Sequence, residues 1–400
     1  MNNILEMIKN EKVEWKKLWE VTSWDKKFNG VEKSKQQKVD KYHYYLASEL
    51  KALSSNDGNI KILTTNITDM YANEDDVSNN ISSGEIVCIP WGGNPVVQYF
   101  NGKFITGDNR IARSTDTNIL LNKYLYYFLL ENIYLIEKLY RGSGIKHPNM
   151  KRVLEIEIPI PSLETQERIV KILDTMVDHF TQLQAELQAE LQARNRQYEH
   201  YRDKLLSEEY LNKLVDKYNF DCIDYELKEF TLGQVIKLKN GKDWKKLNKG
   251  TIPVYGSGGP MEVYVNKFSY NKETVLIPRK GSIDNVFYLD KPFWNVDTIY
   301  YTEVDTKVLN IKYFYYFMTN IDLSSLSVNP TRPSLTQGII NNIRIIIPPI
   351  SVQEHIVSIL DNFNKIVSDI NEGLPKEIEL RQKQYEYYRE RLLDFKREED

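Results

Sequence analysis

The strongest constraint on this 400-residue sequence is that it is written twice. PSLETQERIVKILD (161–174) is answered by PPISVQEHIVSILD (348–361), and RNRQYEHYRDKLL (194–206) by RQKQYEYYRERLL (381–393). Both matches have a step of 187, so residues 166–206 align with 353–393 without a gap and agree at 17 of 41 positions. The duplication extends backwards more loosely. Lys123-Tyr124-Leu125-Tyr126-Tyr127-Phe128 answers Lys312-Tyr313-Phe314-Tyr315-Tyr316-Phe317 at a step of 189, which also places Asp108 on Asp297. Leu18 and Val21 answer Leu232 and Val235 at a step of 214, so the first half carries about 27 more residues in its globular part. A chain built this way is a tandem of two similar units with an approximate two-fold relation, and any reading must account for both copies.

The length-matched segments are predicted to be helices. Ile169, Leu173, Met176, Phe180, Leu183 and Leu187 recur at helical spacing after the proline-rich Ile158-Pro159-Ile160-Pro161, with Thr165-Gln166-Glu167 as a polar first turn. Ile356, Leu360, Phe363, Val367, Ile370 and Leu374 repeat the pattern. Leu183-Gln184-Ala185-Glu186 and Leu187-Gln188-Ala189-Glu190 form a tandem repeat, and Gly373-Leu374-Pro375 is expected to bend or interrupt the second arm. The remainder reads as mixed α and β. Glu85–Pro90 and Thr274–Pro278 are apolar runs of buried-strand type, Tyr255-Gly256-Ser257-Gly258-Gly259 is a turn, and the tyrosine-rich stretches 123–130 and 312–318 read as helices with inward aromatics. The expected organisation is α+β. Two similar mixed α/β domains (1–160 and 231–347) are separated by two long helices (161–206 and 348–400) forming an antiparallel coiled coil, with 207–230 as a linker and a pseudo-two-fold repeat throughout.

Composition then limits the chemistry. Lys plus Arg is 53 against 56 Asp plus Glu, a net charge of −3 that disfavours a bulk nucleic-acid coat. That sum hides a net +6 over residues 231–350 and a net −4 over 351–400. Two cysteines, Cys88 and Cys222, exclude a disulfide scaffold and suit a reducing, cytoplasmic setting. MNNILEMIKN is not a signal-type start, and no apolar stretch reaches the ~20 residues that span a bilayer. There is no phosphate-loop motif, no metal spacing among His43, His147, His179, His200 and His355, and no nucleophile arrangement. Asp224, Glu226 and Lys228 only faintly suggest a nuclease set. No catalytic residue and no metal ligand is assigned.

The repeated Pro-x-x-x-x-Gln-Glu-x-Ile-Val-x-Ile-Leu-Asp and the closing Gln-Tyr-Glu-x-Tyr-Arg-x-x-Leu-Leu resemble the specificity subunit of type I restriction-modification systems. Arg279-Lys280-Gly281-Ser282-Ile283, Phe293-Trp294-Asn295-Val296-Asp297-Thr298 and Arg332-Pro333-Ser334-Leu335 are further points of likeness, and Asp284 departs from the family's usual glycine. The resemblance implies a non-catalytic, cytoplasmic subunit of a bacterial defence complex, with no membrane association. Each domain would read one half of a split double-stranded DNA target, the helices would fix the spacing, and two methyltransferase subunits would dock. It also implies that S-adenosylmethionine belongs to the methyltransferase partner, that ATP and Mg belong to a motor-nuclease restriction subunit, and that this chain has no cofactor of its own. The alternatives are an unusual nuclease, or a coiled-coil tether whose globular ends bind protein.

Loop position and residue type nominate the DNA contacts: cationic groups for phosphates, and Arg, Asn and Ser for base edges. They are Trp91, Asn94, Arg110, Arg141, Ser143 and Lys146 in the first domain, and Lys242, Lys245, Lys246, Arg279, Lys280, Ser282 and Arg332 in the second. On the arms, Tyr198, Tyr201, Arg202, Tyr385, Tyr388 and Arg389 are expected to pack or to dock the methyltransferase.

Overall fold

The structure, a computed structural model, describes residues 2–77, 80–218, 227–327 and 333–397. The arms are helical, as their periodicity requires: Leu163–Leu205 spans 43 residues and Ile350–Leu393 spans 44. The second helix is not interrupted by Pro375, which lies inside it. A proline removes one hydrogen bond from the ladder, and the turns on either side carry the helix through.

The chain divides into two compact units, Met1–Ala185 with Lys376–Asp400, and Glu186–Pro375. Each unit therefore holds the opening of one arm helix and the close of the other. In the first unit Ile169 and Leu173 are buried in the same core as Leu392, Leu393 and Phe395. In the second, Leu205 shares a core with Val352, Ile356 and Leu360. Start meeting end in both units is the antiparallel arrangement expected from matched lengths. The stretch 207–230, expected as a linker, carries the helix Glu208–Tyr218, whose Leu211, Leu214 and Val215 are buried.

Each unit is rooted on a two-stranded antiparallel ladder. Glu14–Lys17 pairs with Glu157–Ile160, and Lys228–Thr231 pairs with Arg344–Ile347. One-turn helices follow at Leu18–Val21 and Leu232–Val235, and they bury the four residues that the sequence aligns. The first unit then builds a seven-stranded mixed sheet in the order Thr22–Trp24, Asn109–Ser114, Ser82–Pro90, Gln98–Thr106, Ile60–Leu63, Tyr71–Ala72, Ser54–Ser55. Strand alternation divides Ser82–Pro90 between two cores: Val87 and Ile89 enter the main core, while Ile86 and Cys88 join Leu63, Phe104 and Ile111. Burial pushes the Cys88 thiol up to about 12, as suits a small buried apolar residue. The second unit has a four-stranded sheet, ordered Ile236–Asn240, Ile299–Val304, Thr274–Pro278, Phe287–Leu289. Beside it lies a three-stranded sheet whose hairpin, Lys249–Gly256 with Gly259–Val265, turns at Ser257-Gly258.

The repeated motifs now have physical reasons. Gln166 and Gln353 are fully buried. Gln166 accepts from Leu121 N (2.9 Å) and donates to Ile119 O (2.8 Å) and Pro161 O (2.9 Å). Gln353 accepts from Asn310 N (2.7 Å) and donates to Val308 O (2.9 Å) and Pro348 O (2.7 Å). The same three bonds are made twice, and each set ties an arm to the N-terminus of a tyrosine-rich helix, Asn122–Glu131 or Ile311–Thr319. Two turns on, Tyr127 and Lys123 hold Asp174 at 2.5 and 2.8 Å, and Tyr316 and Lys312 hold Asp361 at 2.6 and 2.5 Å. Glu190, Arg194 and Gln197, and likewise Glu377, Arg381 and Gln384, are intrahelical polar chains on exposed faces.

Candidate nucleic-acid interface

In the first unit the strand Ser82–Pro90 ends at a loop bearing Trp91 and the exposed Asn94. A short hairpin, Tyr140–Arg141 with His147–Pro148, presents Arg141, Ser143 and Lys146, all exposed. The two loops are bonded together: Gly93 N donates to Lys146 O (3.1 Å), and His147 Nδ1 lies 2.7 Å from Trp91 O. A Cβ at Gly92 would sit 2.9 Å from Ile145 Cγ2, so any larger residue there would displace the exposed Ile145 side chain. The structure thus gathers Trp91, Asn94, Arg141, Ser143 and Lys146 into one loop cluster.

Arg110, expected among them, is a correction. It lies in the strand Asn109–Ser114, not a loop, and its side chain is 0% exposed. Its guanidinium pairs with the equally buried Asp25 at 2.6 Å and also with Asp108. Asp25 further accepts from Tyr44 Oη (2.8 Å) and Ile111 N (2.9 Å). Burial raises the Asp25 pKa above the ordinary carboxylate value, against the opposing pull of Arg110. Arg110 lies directly beneath the Trp91 ring, with Cζ 4.8 Å from its centroid, while Lys26 Nζ is 5.2 Å and the His147 ring 5.1 Å away.

In the second unit, Arg279, Lys280 and Ser282 follow the strand Thr274–Pro278 as Trp91 follows Ser82–Pro90. Leu335 N donates to Arg279 O (2.9 Å) and Lys280 bridges to Ser334, so the 333–335 segment closes this loop. Arg332 lies outside the described residues. The segment Trp294–Thr298 organises the remaining cations. Lys242 N donates to Asn295 O (2.9 Å), Arg279 Nη1 to Asp297 O (3.4 Å), and Lys280 pairs with the Asp297 carboxylate at 3.6 Å. Lys245 and Lys246 are exposed farther along the Lys242 loop.

The hairpin whose turn the sequence marks at Tyr255–Gly259 lies beside this cluster, a placement the sequence did not show. Ser257 O accepts from Asn285 Nδ2 (3.3 Å), and a Cβ on Gly281 (φ +83°) would lie 3.1 Å from Ser257 Oγ. Met261 (43%), Tyr264 (55%) and, just beyond, Phe268 (49%) next to Lys267 are exposed along the hairpin. Asp284 accepts a 2.7 Å hydrogen bond from Ser324 Oγ.

The arm residues split by environment. Tyr198 and Tyr385 pack against the second and first cores, with Arg202 and Arg389 over their rings at 5.8 and 5.2 Å. Arg389 also pairs with Glu131 at 2.6 Å. Tyr201 stacks on Phe363 (5.1 Å, 22°) yet remains 37% exposed, and the half-buried Tyr388 stands 5.3 Å from Tyr387. Among the described residues no group of three or more His, Cys, Asp or Glu side chains is disposed to hold a metal ion, and no helix is long and apolar enough to cross a membrane.

Residues 47–193 and 225–380 match the family described as type I restriction modification DNA specificity domain. Over 351 residues the chain is 34% identical to a putative type I restriction enzyme specificity subunit, S.HindORF215P, of Haemophilus influenzae, covering 80% of this chain and 86% of that one. It is 29% identical to the EcoR124I/EcoR124II specificity subunit of Escherichia coli over 335 residues, 75% and 77% of the two chains. Among solved structures, a chain from work on complex assembly and conformational transition of the type I R-M system superposes with TM-score 0.64 at 12% identity, over 96% of this chain and 98% of that one. The HsdS subunit from Thermoanaerobacter tengcongensis gives 0.53 at 13% identity, over 95% and 96%. These two likenesses are of fold.

Proposed function

This chain belongs to the type I restriction-modification DNA specificity family, and on that footing we propose that its two domains each read one half of a split double-stranded DNA target. The observation that carries the reading is the loop cluster built twice on one framework: in both units it follows an Ile-Pro strand end and presents cationic and small polar groups. Lysine and arginine there would supply phosphate contacts and register, and the side chains at the strand ends the sequence readout.

The duplicated arms support two copies of one partner, since equal faces on a pseudo-two-fold chain bind equal subunits. We assign these to methyltransferase subunits that bring S-adenosylmethionine and the adenine-modifying site. Tyr201 and Tyr388 are the arm residues from the predicted docking set best disposed for contact, being less committed inside their units than Arg389. A motor-nuclease subunit with ATP and Mg would complete restriction. The specificity subunit itself would be non-catalytic, and the purified chain given S-adenosylmethionine is expected to methylate no DNA.

Methylation-sensitive sequencing of a genome carrying this gene and its methyltransferase tests the reading. A split motif with an undefined middle is expected, and a continuous motif would overturn the two-domain assignment. The helix also predicts how that middle is set. Deleting Leu187–Glu190 removes about 6 Å of helix, so the half-sites should move closer by about one to two base pairs. An unchanged gap in the methylated motif would exclude the arms as the spacer.

A further inference from the structure

The sheet register sets the two domains on a common frame more closely than the sequence does. Pro90 stands opposite Asn109 and Ile89 opposite Arg110, while Pro278 stands opposite Ile299 and Ile277 opposite Tyr300. The backbone bond from Trp91 N to Asp108 O (2.9 Å) recurs as Arg279 N to Thr298 O (2.8 Å). Arg110 and Tyr300 therefore occupy one position, and Trp91 and Arg279 another. The step is one residue off the alignment that put Asp108 on Asp297.

At this shared site the chemistry is exchanged. In the first unit an aromatic ring lies outside and a buried arginine beneath it, Trp91 over Arg110 at 4.8 Å. In the second a guanidinium lies outside and a buried tyrosine beneath it, Arg279 over Tyr300 at 5.9 Å. Tyr300 is 3% exposed. Both units keep a cation–π pair and reverse its polarity. A buried Arg–Asp pair is commonly no more stabilising than apolar residues of the same size, and the second unit folds without one at this position, so the fold does not demand it. In the first unit it lies beneath Trp91.

We propose that the two domains read their half-sites by different chemistries: the second through the Arg279 guanidinium on a guanine in the major groove, the first through the Trp91 ring set against a pyrimidine–purine step. Arg279 is the fork that matches guanine O6 and N7, and it lies over Tyr300 with Nη1 donating to Asp297 O. The half-buried Trp91 ring offers its exposed edge, and pyrimidine–purine steps are the ones most easily kinked or unstacked by such a side chain. Arg110 and Tyr300 are positioning residues. This rests on the split-target reading above.

The test uses the complex with its methyltransferase, first on its sequenced motif and then in competition binding with half-site analogues. For the intact complex, 7-deazaguanine at one guanine of the second half-site, which removes N7, should weaken binding about tenfold or more. Arg279→Ala should lose the same affinity on the normal site and be indifferent to the analogue. Tyr300→Phe, which keeps the ring, should retain discrimination, and Tyr300→Leu should lose it without altering the salt dependence. In the first half-site, Trp91→Ala should weaken binding about tenfold and relax one pyrimidine–purine step, with Trp91→Phe largely restoring it. The proposal is overturned by a second half-site insensitive to every N7 removal, by an Arg279→Ala loss that is uniform across sequences with a shallower salt slope, or by a first half-site without a pyrimidine–purine step. A complex with no preference for any split sequence overturns the underlying reading instead, and the proposal with it.

Discussion

Replacing Gln353 by leucine is expected to destabilise the second unit by about 3 kcal/mol or more, the largest effect of any exchange on the arms. The side chain satisfies three backbone groups that water does not reach, Asn310 N, Val308 O and Pro348 O. Leucine fills the space and satisfies none, and each orphaned group costs about 1–3 kcal/mol. Gln353→Glu should also fail, because a carboxylate cannot donate to the two carbonyls. The symmetric exchange Gln166→Leu should weaken the first unit through Leu121 N, Ile119 O and Pro161 O. Amide hydrogen exchange at Asn310 and Leu121, with denaturant unfolding of each variant, reads the effect unit by unit. A loss below about 1 kcal/mol would show that these glutamines are not the ties between arm and domain.

The second large effect concerns Arg110. Arg110→Met should cost the first unit about 3–5 kcal/mol at neutral pH, because it leaves the Asp25 carboxylate buried without its counter-ion. The pH dependence separates this cause from lost packing. Burial already raises the Asp25 pKa, and removing Arg110 takes away the group that opposes the rise. A carboxyl with a raised folded-state pKa contributes its stability in the protonated state, below the unfolded value, and loses it as pH climbs through the folded one. The deficit of the variant should therefore shrink as pH falls through the carboxylate range. A deficit that stays constant with pH would assign the loss to packing. Asp25→Asn with Arg110→Met should recover much of the single-variant loss, since no buried charge is left behind.

How far the sequence carried these conclusions depends on the range of each interaction. The arms were legible because helical period and duplication act locally and repeat: Ile169, Leu173, Ile356 and Leu360 are buried where the pattern puts them. Gln166 and Gln353 were visible as repeated polar residues at a helix start. Their burial was not, because the loops they hold lie more than 40 positions away in sequence. Arg110 was misread for the same reason, as its partner Asp25 is 85 positions distant and an isolated arginine defaults to the surface. The shared Ile-Pro could align Trp91 with Arg279, but not show that Arg110 and Tyr300 lie across from it, because those two share no residue type and the strand register displaces their step by one. Loop residues such as Asn94, Lys146 and Lys280 could be nominated from composition, but only the hydrogen bonds between loops show which of them stand together.

The division of the arms between units has a consequence for how the protein is made. The second unit is one unbroken stretch, Glu186–Pro375, whereas the first needs Lys376 onward to complete a core that includes Leu392, Leu393 and Phe395. During synthesis the segment made first must wait for one that follows the whole of Glu186–Pro375, while that middle stretch can close on its own. Until then the first core is missing one wall, and its apolar side chains are open to chaperones or to a neighbouring nascent chain. The first domain's core is thus completed only once the last helical turns are in place.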